Sequence, residues 1–206
     1  MMATTPSHLG GAHLDKPDWY TWLPDIWERI ILEYQIKSVL DLGCGAGFST
    51  RWFQERVSRV LGIEGDPAAL AQRRCDHIIG HDFTLASYVP VDTYDLAWCA
   101  EYVEHVEAKY MYNWMAALQR CKYVCMTYAT PGQGGHHHVN ERDEGYWLAQ
   151  FKQAGFEHVP EETARMRATA TSETWGRPTL TFFRSRVFGH PDPSWILSPF
   201  KAQLEA

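Results

Sequence analysis

Apolar residues along this chain follow two spacings. From Pro24 to Tyr34, Ile26, Trp27, Ile30, Ile31 and Tyr34 recur at three- and four-residue steps, which predicts a helix with one apolar face. The next segment, "KSVLDLG", is apolar without alternation, the pattern of a short strand covered on both faces. The two spacings then take turns. "FSTRWFQERV" reads as a helix and "RVLGIEGD" as a strand. Asp66-Pro67 supplies a cap and a first helical position for "AALAQRRC". "HIIGHDF" and "TYDLAWCA" are the third and fourth strands. A long helix is expected over about Glu104 to Arg120, with Val106, Tyr110, Met111, Trp114, Met115 and Leu118 on one side. "KYVCMTYA" is a fifth strand, "DEGYWLAQFKQAGF" a helix closed by Gly155, and residues 156–159 a sixth strand. A helix within 161–170 and a last strand in "TLTFFRSRVF" complete the order. Strands alternating with helices predict an α/β fold with an open, mostly parallel seven-stranded sheet and helices on both faces.

Between the first strand and its helix runs "DLGCGAGFST", Asp41 to Thr50. In such sheets ligands sit beyond the carboxyl ends of the strands. Glycine there tolerates positive φ and brings bare backbone up to a ligand. Gly43, Gly45 and Gly47 give the spacing G-x-G-x-G. A dinucleotide fingerprint would need a third glycine where Phe48 stands, and no Gly-Lys-Ser/Thr follows for a phosphate loop.

The turn resembles motif I of the class I S-adenosylmethionine-dependent methyltransferases, (D/E)-x-G-x-G-x-G, a Rossmann-like superfamily. Further segments resemble the same family in order. Glu64 closes the second strand, where the resemblance implies a carboxylate for both ribose hydroxyls. Asp82 and Phe83 follow the third strand, at the place of the adenine amine and adenine face. "YDLAWCAEYVEHV" is similar to the D-x8-E-H segment of the small-molecule, methyltransferase-11/12/23-like branch, with Asp95 first and Glu101, Glu104 and His105 after the strand. The resemblance covers roughly residues 36–188. It implies S-adenosyl-L-methionine as cofactor, bound by Asp41, Gly43, Gly45, Gly47, Glu64, Asp82, Phe83 and Glu101.

The acceptor side offers His105 and the triplet His136-His137-His138 in a Gly-rich loop. Each is a candidate base for a substrate hydroxyl. The triplet has two other readings: shaping its loop by hydrogen bonds, or holding a metal with Glu101, Glu104 or His105. Adjacent histidines do not readily face one ion, so no metal is assigned. The cluster Trp19, Tyr20, Trp22 and Trp27 is either a lid or, by its helical spacing, core.

Composition narrows the acceptor. The net charge of −6 comes without a basic stripe, which argues against nucleic acid. The fourth strand is followed by "WCAEY", without the (D/N/S)-P-P-(Y/F/W) or Pro-Cys of DNA-base enzymes. No DNA is therefore expected, and a small molecule or glycan methylated at oxygen is favoured. The alternatives are a non-catalytic cofactor-binding protein and an RNA or protein methyltransferase; an oligomer is compatible with either reading. Five cysteines without C-x-x-C suggest free thiols in a reducing compartment; Cys121 and Cys125 are expected to straddle a strand start. The first residues lack a signal-peptide pattern, and no apolar run approaches the roughly 20 residues a membrane span needs. A cytoplasmic protein without membrane contact is expected. Residues 1–23 are read as an arm or lid, 24–188 as the methyltransferase domain and 189–206 as a tail.

Overall fold

The computed structural model describes residues 8–11, 13–170 and 176–189. Seven strands form one sheet: β1 (Ser38–Leu42), β2 (Arg59–Glu64), β3 (Ile78–Gly80), β4 (Tyr94–Cys99), β5 (Cys121–Met126), β6 (Phe156–His158) and β7 (Thr181–Ser185). Their order is β3-β2-β1-β4-β5-β7-β6. The first five pair in parallel, and β7 runs antiparallel to both β5 and β6. The chain reverses its direction of travel across the sheet between β1 and β4, and there the carboxyl ends of the strands open a crevice.

Among the described residues, seven α-helices accompany the sheet: α1 (Pro24–Tyr34), α2 (Phe48–Gln54), α3 (Pro67–Ala71), α4 (Met111–Leu118), α5 (Glu144–Gln153), α6 (Pro160–Thr169) and α7 (Gly176–Thr179). Every residue of β1 is buried, which explains its unbroken apolar run. Alternate strand side chains feed two separate cores. Leu40, Leu42, Ala97 and Phe183 pack with Trp114, Trp147 and Phe151 of α4 and α5. Val39, Leu96, Trp98 and Phe182 pack with Trp27 of α1, Trp52 and Phe53 of α2 and Met166 of α6. The tryptophan cluster therefore divides. Trp27 is fully buried, with Trp22 5.0 Å away edge-on, whereas Trp19 and Tyr20 are exposed. Arg29 of α1 reaches Glu162 of α6 at 2.7 Å and ties the two helices together.

Asp95 has a structural task. Its Oδ2 accepts from Lys37 N, Ser38 N and Ser38 Oγ, clamping the starts of β1 and β4 at the end remote from the crevice. Asp66 caps α3, accepting from Ala68 N at 2.9 Å, with Pro67 at its first position.

Two expectations are corrected. The helix expected over 104–120 is broken into short 3-10 turns at Val103–His105 and Ala108–Tyr110 before α4 begins. The cause is competition for acceptors. Val139 N and Asn140 N donate to Glu104 O, and Asn140 Nδ2 donates to Val103 O, so the 130–140 loop takes carbonyls that a helix would have used. Cys121 and Cys125 both lie inside β5 rather than across its start, and all five cysteines are free thiols. No helix among the described residues is long and apolar enough to cross a membrane. The tail from His190 onward lies outside the described residues.

Gly47 joins the turn to α2 in the left-handed conformation, φ +82°, and a Cβ there would run into Ile78 Cδ1. We expect Gly47→Ala to lower stability by about 1–2 kcal/mol, the usual cost of a left-handed non-glycine residue. The check is a lower urea midpoint with an unchanged slope.

Candidate active site

A cleft of about 430 Å³ lies at the carboxyl ends of β1, β2 and β4. Gly43, Gly45 and Gly47 all have positive φ, at +71°, +56° and +82°. The turn is pinned from beneath: Gly43 N and Cys44 N donate to Ile63 O of the neighbouring strand. A Cβ on Gly43 would collide with the Tyr102 ring, so ring and turn close on each other across one wall of the cleft.

Two carboxylates secure this turn. Asp41 is buried near the end of β1, and its Oδ2 accepts from Ser49 Oγ and Thr50 Oγ1, both at 2.7 Å. Burial pushes its pKa up to about 6; the two hydroxyls act against the shift and Glu64 adds to it. Glu64 accepts from Gly45 N at 2.7 Å through Oε2 and from Asp66 N at 2.8 Å through Oε1. Each of its oxygens keeps a lone pair for a further donor from the cleft. Burial raises its pKa, against the pull of the backbone amides.

Along the same wall, Asp82 Oδ1 takes Thr84 N and Thr84 Oγ1, and its Oδ2 meets His8 Nε2 at 2.8 Å. Burial opposes ionisation of Asp82, but the bonds from His8 and Thr84 outweigh it and hold the pKa low. Phe83 is buried, with the Tyr102 ring 6.3 Å away.

The opposite end of the cleft is lined by acidic and imidazole groups. Glu101 follows β4 with φ +47°, a left-handed backbone rare for a non-glycine residue, held by Glu101 N to Thr127 Oγ1. Its Oε1 is buried without a donor. Glu104 is fully buried, and neither of its carboxyl oxygens has a donor. Burial, and then the Glu101 carboxyl, push Glu104 well above the usual carboxylate range. His105 Nδ1 bonds His136 O at 2.8 Å, which fixes the proton on Nδ1 because a carbonyl only accepts. Burial, and then His138, hold the His105 pKa down at about 4, so the ring is neutral. His138 Nδ1 bonds Glu141 Oε1 at 3.0 Å, and Glu141 also takes Gly132 N and Gly134 N. Glu141 thus folds the Gly-rich loop around one imidazole. The bonds from Gly132 N and then His138 hold the Glu141 pKa below its ordinary value.

The histidine triplet separates. His138 lines the cleft beside His105, with ring centroids 4.9 Å apart. His136 also lines the cleft, at its exposed rim, and reaches Leu9 O at 2.9 Å through Nε2. His137 does not line the cleft; its backbone turns at φ +49°. His8 to Gly11 lie over this loop and over Asp82. The arm read over residues 1–23 is therefore placed against the cleft from His8, while residues 1–7 and Ala12 lie outside the described ones.

Tyr102, Glu141 and the His8–Leu9 contact escaped the sequence reading. Glu141 follows the triplet by only a few residues, but a turn-forming carboxylate looks like any surface Glu until the loop closes on it. Tyr102 stood inside a quoted motif with nothing to separate it from a core aromatic.

Residues 39–124 match the model of a family described as "Methyltransferase domain". A curated relative, the tRNA U34 carboxymethyltransferase of Shewanella sp. (strain ANA-3), is 35% identical over 74 residues, which is 32% of this chain and 21% of that protein. The chain thus spans about a fifth of the curated relatives it matches. Among solved structures, SAM-bound CalS10, an amino pentose methyltransferase from Micromonospora echinaspora, superposes with a TM-score of 0.61 at 16% identity over 84% of this chain and 93% of its own. An S-adenosylmethionine-dependent methyltransferase from Mesorhizobium loti gives 0.54 at 22% identity, covering 84% of this chain and 100% of that one. The N-methyltransferase NodS from Bradyrhizobium japonicum gives 0.57 at 15% identity over 79% and 93%.

Proposed function

We propose that this chain is a class I S-adenosylmethionine-dependent methyltransferase and that it methylates an oxygen of a small hydroxylated acceptor such as a sugar. The observation that carries this reading is the position of the carboxyl and imidazole cluster. Glu101, Glu104, His105 and His138 line the same cleft as the glycine turn.

The residues present fit the cofactor. Backbone bared at Gly43, Gly45 and Gly47 suits close approach, and Glu64 keeps acceptor capacity for the two ribose hydroxyls. Asp82 and Phe83 would take the adenine, with His8 at the rim. When bound, the cofactor supplies a methyl group on a cationic sulfur that leaves as a neutral thioether. The chain's first contribution is alignment, which lowers such a barrier by roughly 7–11 kcal/mol when the geometry is right. Its second is a place for the acceptor's proton. His138 Nε2 faces that role, with Nδ1 held by Glu141 in the logic of an oriented base. His105 is held the same way by His136 O. His136 and His137 are not assigned chemistry; His136 anchors the arm at Leu9, and the arm serves as a lid.

A second reading follows from the curated relative, whose name specifies a tRNA. It rests on 74 residues and a fifth of that protein, and the net charge of −6 opposes it. Tritiated-methyl transfer to fractionated host extract separates the two. The expected result is label in small, neutral or sugar-containing molecules, with His138→Ala lowering kcat about 10²-fold at unchanged S-adenosylhomocysteine affinity. Label confined to RNA or protein would overturn the proposal.

A further inference from the structure

We propose that Glu104, His105 and His138, with Glu101 alongside, form a binding site for a divalent transition-metal cation. One ligand atom from each of the first three lies within 4.8 Å of the others. Donors on a single ion, with metal–nitrogen and metal–oxygen distances near ~2 Å, stand at most about 4 Å apart, so a small side-chain adjustment brings these atoms onto one cation.

Three separate features point to a cation. The first is Glu104. It is fully buried, both oxygens lack a donor, and its neighbour Glu101 adds another buried oxygen without one. Buried acceptors in native proteins nearly always find a donor, so each exception needs an explanation. A cation answers for all three oxygens at once. The second is the orientation of both imidazoles. His105 Nδ1 is bonded to the carbonyl of His136, and His138 Nδ1 to the carboxylate of Glu141. Metal-ligating histidines characteristically donate one ring N–H to a carbonyl or carboxylate and turn the other nitrogen to the ion. Here both leave Nε2 as the free nitrogen. The third is the architecture of the loop. Glu141 gathers Gly132 N, Gly134 N and His138, while Val139 N and Asn140 N fasten the loop to Glu104 O. These bonds bring His138 to a pair, Glu104-His105, that lies more than thirty residues earlier in the chain. They also break the helix that the sequence would otherwise form.

The donor set is nitrogen and oxygen, with no thiol in the cluster, which suits Mn²⁺, Fe²⁺, Co²⁺ or Zn²⁺. The sequence reading set a metal aside because three adjacent histidines do not readily face one ion. The structure meets that objection by using only His138 of the three. The site deepens the proposed function and rests on it in one respect: it places the acceptor hydroxyl beside the cluster. A cation there would bind and acidify that hydroxyl, making His105 and His138 ligands instead of bases.

The test uses untagged, chelator-stripped full-length protein titrated with Mn²⁺ alone, followed by calorimetry and by loss of the free-ion EPR signal. We expect one Mn²⁺ per chain, with affinity at least ~10-fold weaker in Glu104→Gln and in His138→Ala, since each removes one ligand. S-adenosylhomocysteine affinity, measured on the same preparations, is expected to stay unchanged and to report that both variants are folded. No saturable binding of Mn²⁺, Co²⁺ or Zn²⁺ by the wild type, or equal binding by both variants, would overturn the site. Metal binding together with methyl transfer found only at nitrogen would uphold the site and remove the oxygen-acceptor reading instead.

Discussion

Glu64→Ala is expected to weaken S-adenosylhomocysteine binding by about 10²–10³-fold. Hydrogen bonds to a charged group contribute about 1.5–3 kcal/mol each, and every ~1.4 kcal/mol is tenfold in affinity. Two ribose hydroxyls on one carboxylate bring the loss into that range. The change also strikes the protein itself, because Gly45 N and Asp66 N both donate to Glu64. Without the Gly45 bond the glycine turn loses one of its ties to β2, keeping those of Gly43 N and Cys44 N to Ile63 O, and part of the cost is a looser cradle. Glu64→Gln separates the two effects. It keeps an oxygen for one backbone amide and loses the charge, so its affinity should fall between those of Glu64→Ala and the wild type. Calorimetric titration with S-adenosylhomocysteine measures all three proteins. A loss below about 10-fold in Glu64→Ala, less than a single charged hydrogen bond contributes, would remove Glu64 from the cofactor site.

Most of the fold was legible because it is written in local patterns. The unbroken apolar run in "KSVLDLG" marks a central strand, and Asp66-Pro67 and Gly155 mark helix ends; each was found where expected. The proposed cofactor side has a local signal for a similar reason. Gly43, Gly45 and Glu64 are spaced by strand and turn geometry, so a linear motif reports residues that meet along one cleft. The acceptor side was legible only as a set of candidates. Glu104 and His105 meet His138 because a Gly-rich loop folds around Glu141, and no period in the sequence encodes that closure. The same loop misled the helix reading. Val106, Tyr110, Met111 and Trp114 have helical spacing, but the carbonyls of Val103 and Glu104 were claimed by residues 139 and 140. Tertiary hydrogen bonding overrode local propensity at the place where the site is built, which is where such conflicts are expected.

Asp41→Asn should stabilise the cofactor-free protein while weakening cofactor binding. Asp41 is buried, and its pKa rises from an ordinary 3.8 to about 6. Burial is the main cause. Ser49 and Thr50 donate to one oxygen, which only partly compensates, and Glu64 adds repulsion. A carboxyl group whose pKa is higher in the folded than in the unfolded protein favours folding while protonated. Its contribution is intact below pH 3.8 and is lost as the pH rises through about 6. At ~1.36 kcal/mol per pKa unit, the ionised group costs the folded state about 3 kcal/mol at neutral pH. Asparagine keeps an oxygen for the two hydroxyls and carries no charge. The stability difference between variant and wild type should therefore grow between about pH 4 and pH 6 and level off above, reaching about 2–3 kcal/mol less whatever the altered hydrogen bonds cost. Urea unfolding of both proteins at several pH values measures it. A difference that does not change with pH would mean that Asp41 is not buried as a charge in the free protein. The opposite effect on binding follows from the same charge. Bound as proposed, the cofactor would carry a cationic sulfur into a cleft lined by Asp41 and Glu64, where it would offset the buried negative charge. Asp41→Asn removes part of what that cation gains, so affinity for S-adenosylmethionine should fall further than affinity for the neutral-sulfur product. An equal loss for both ligands would show that Asp41 acts only by holding α2 to the end of β1.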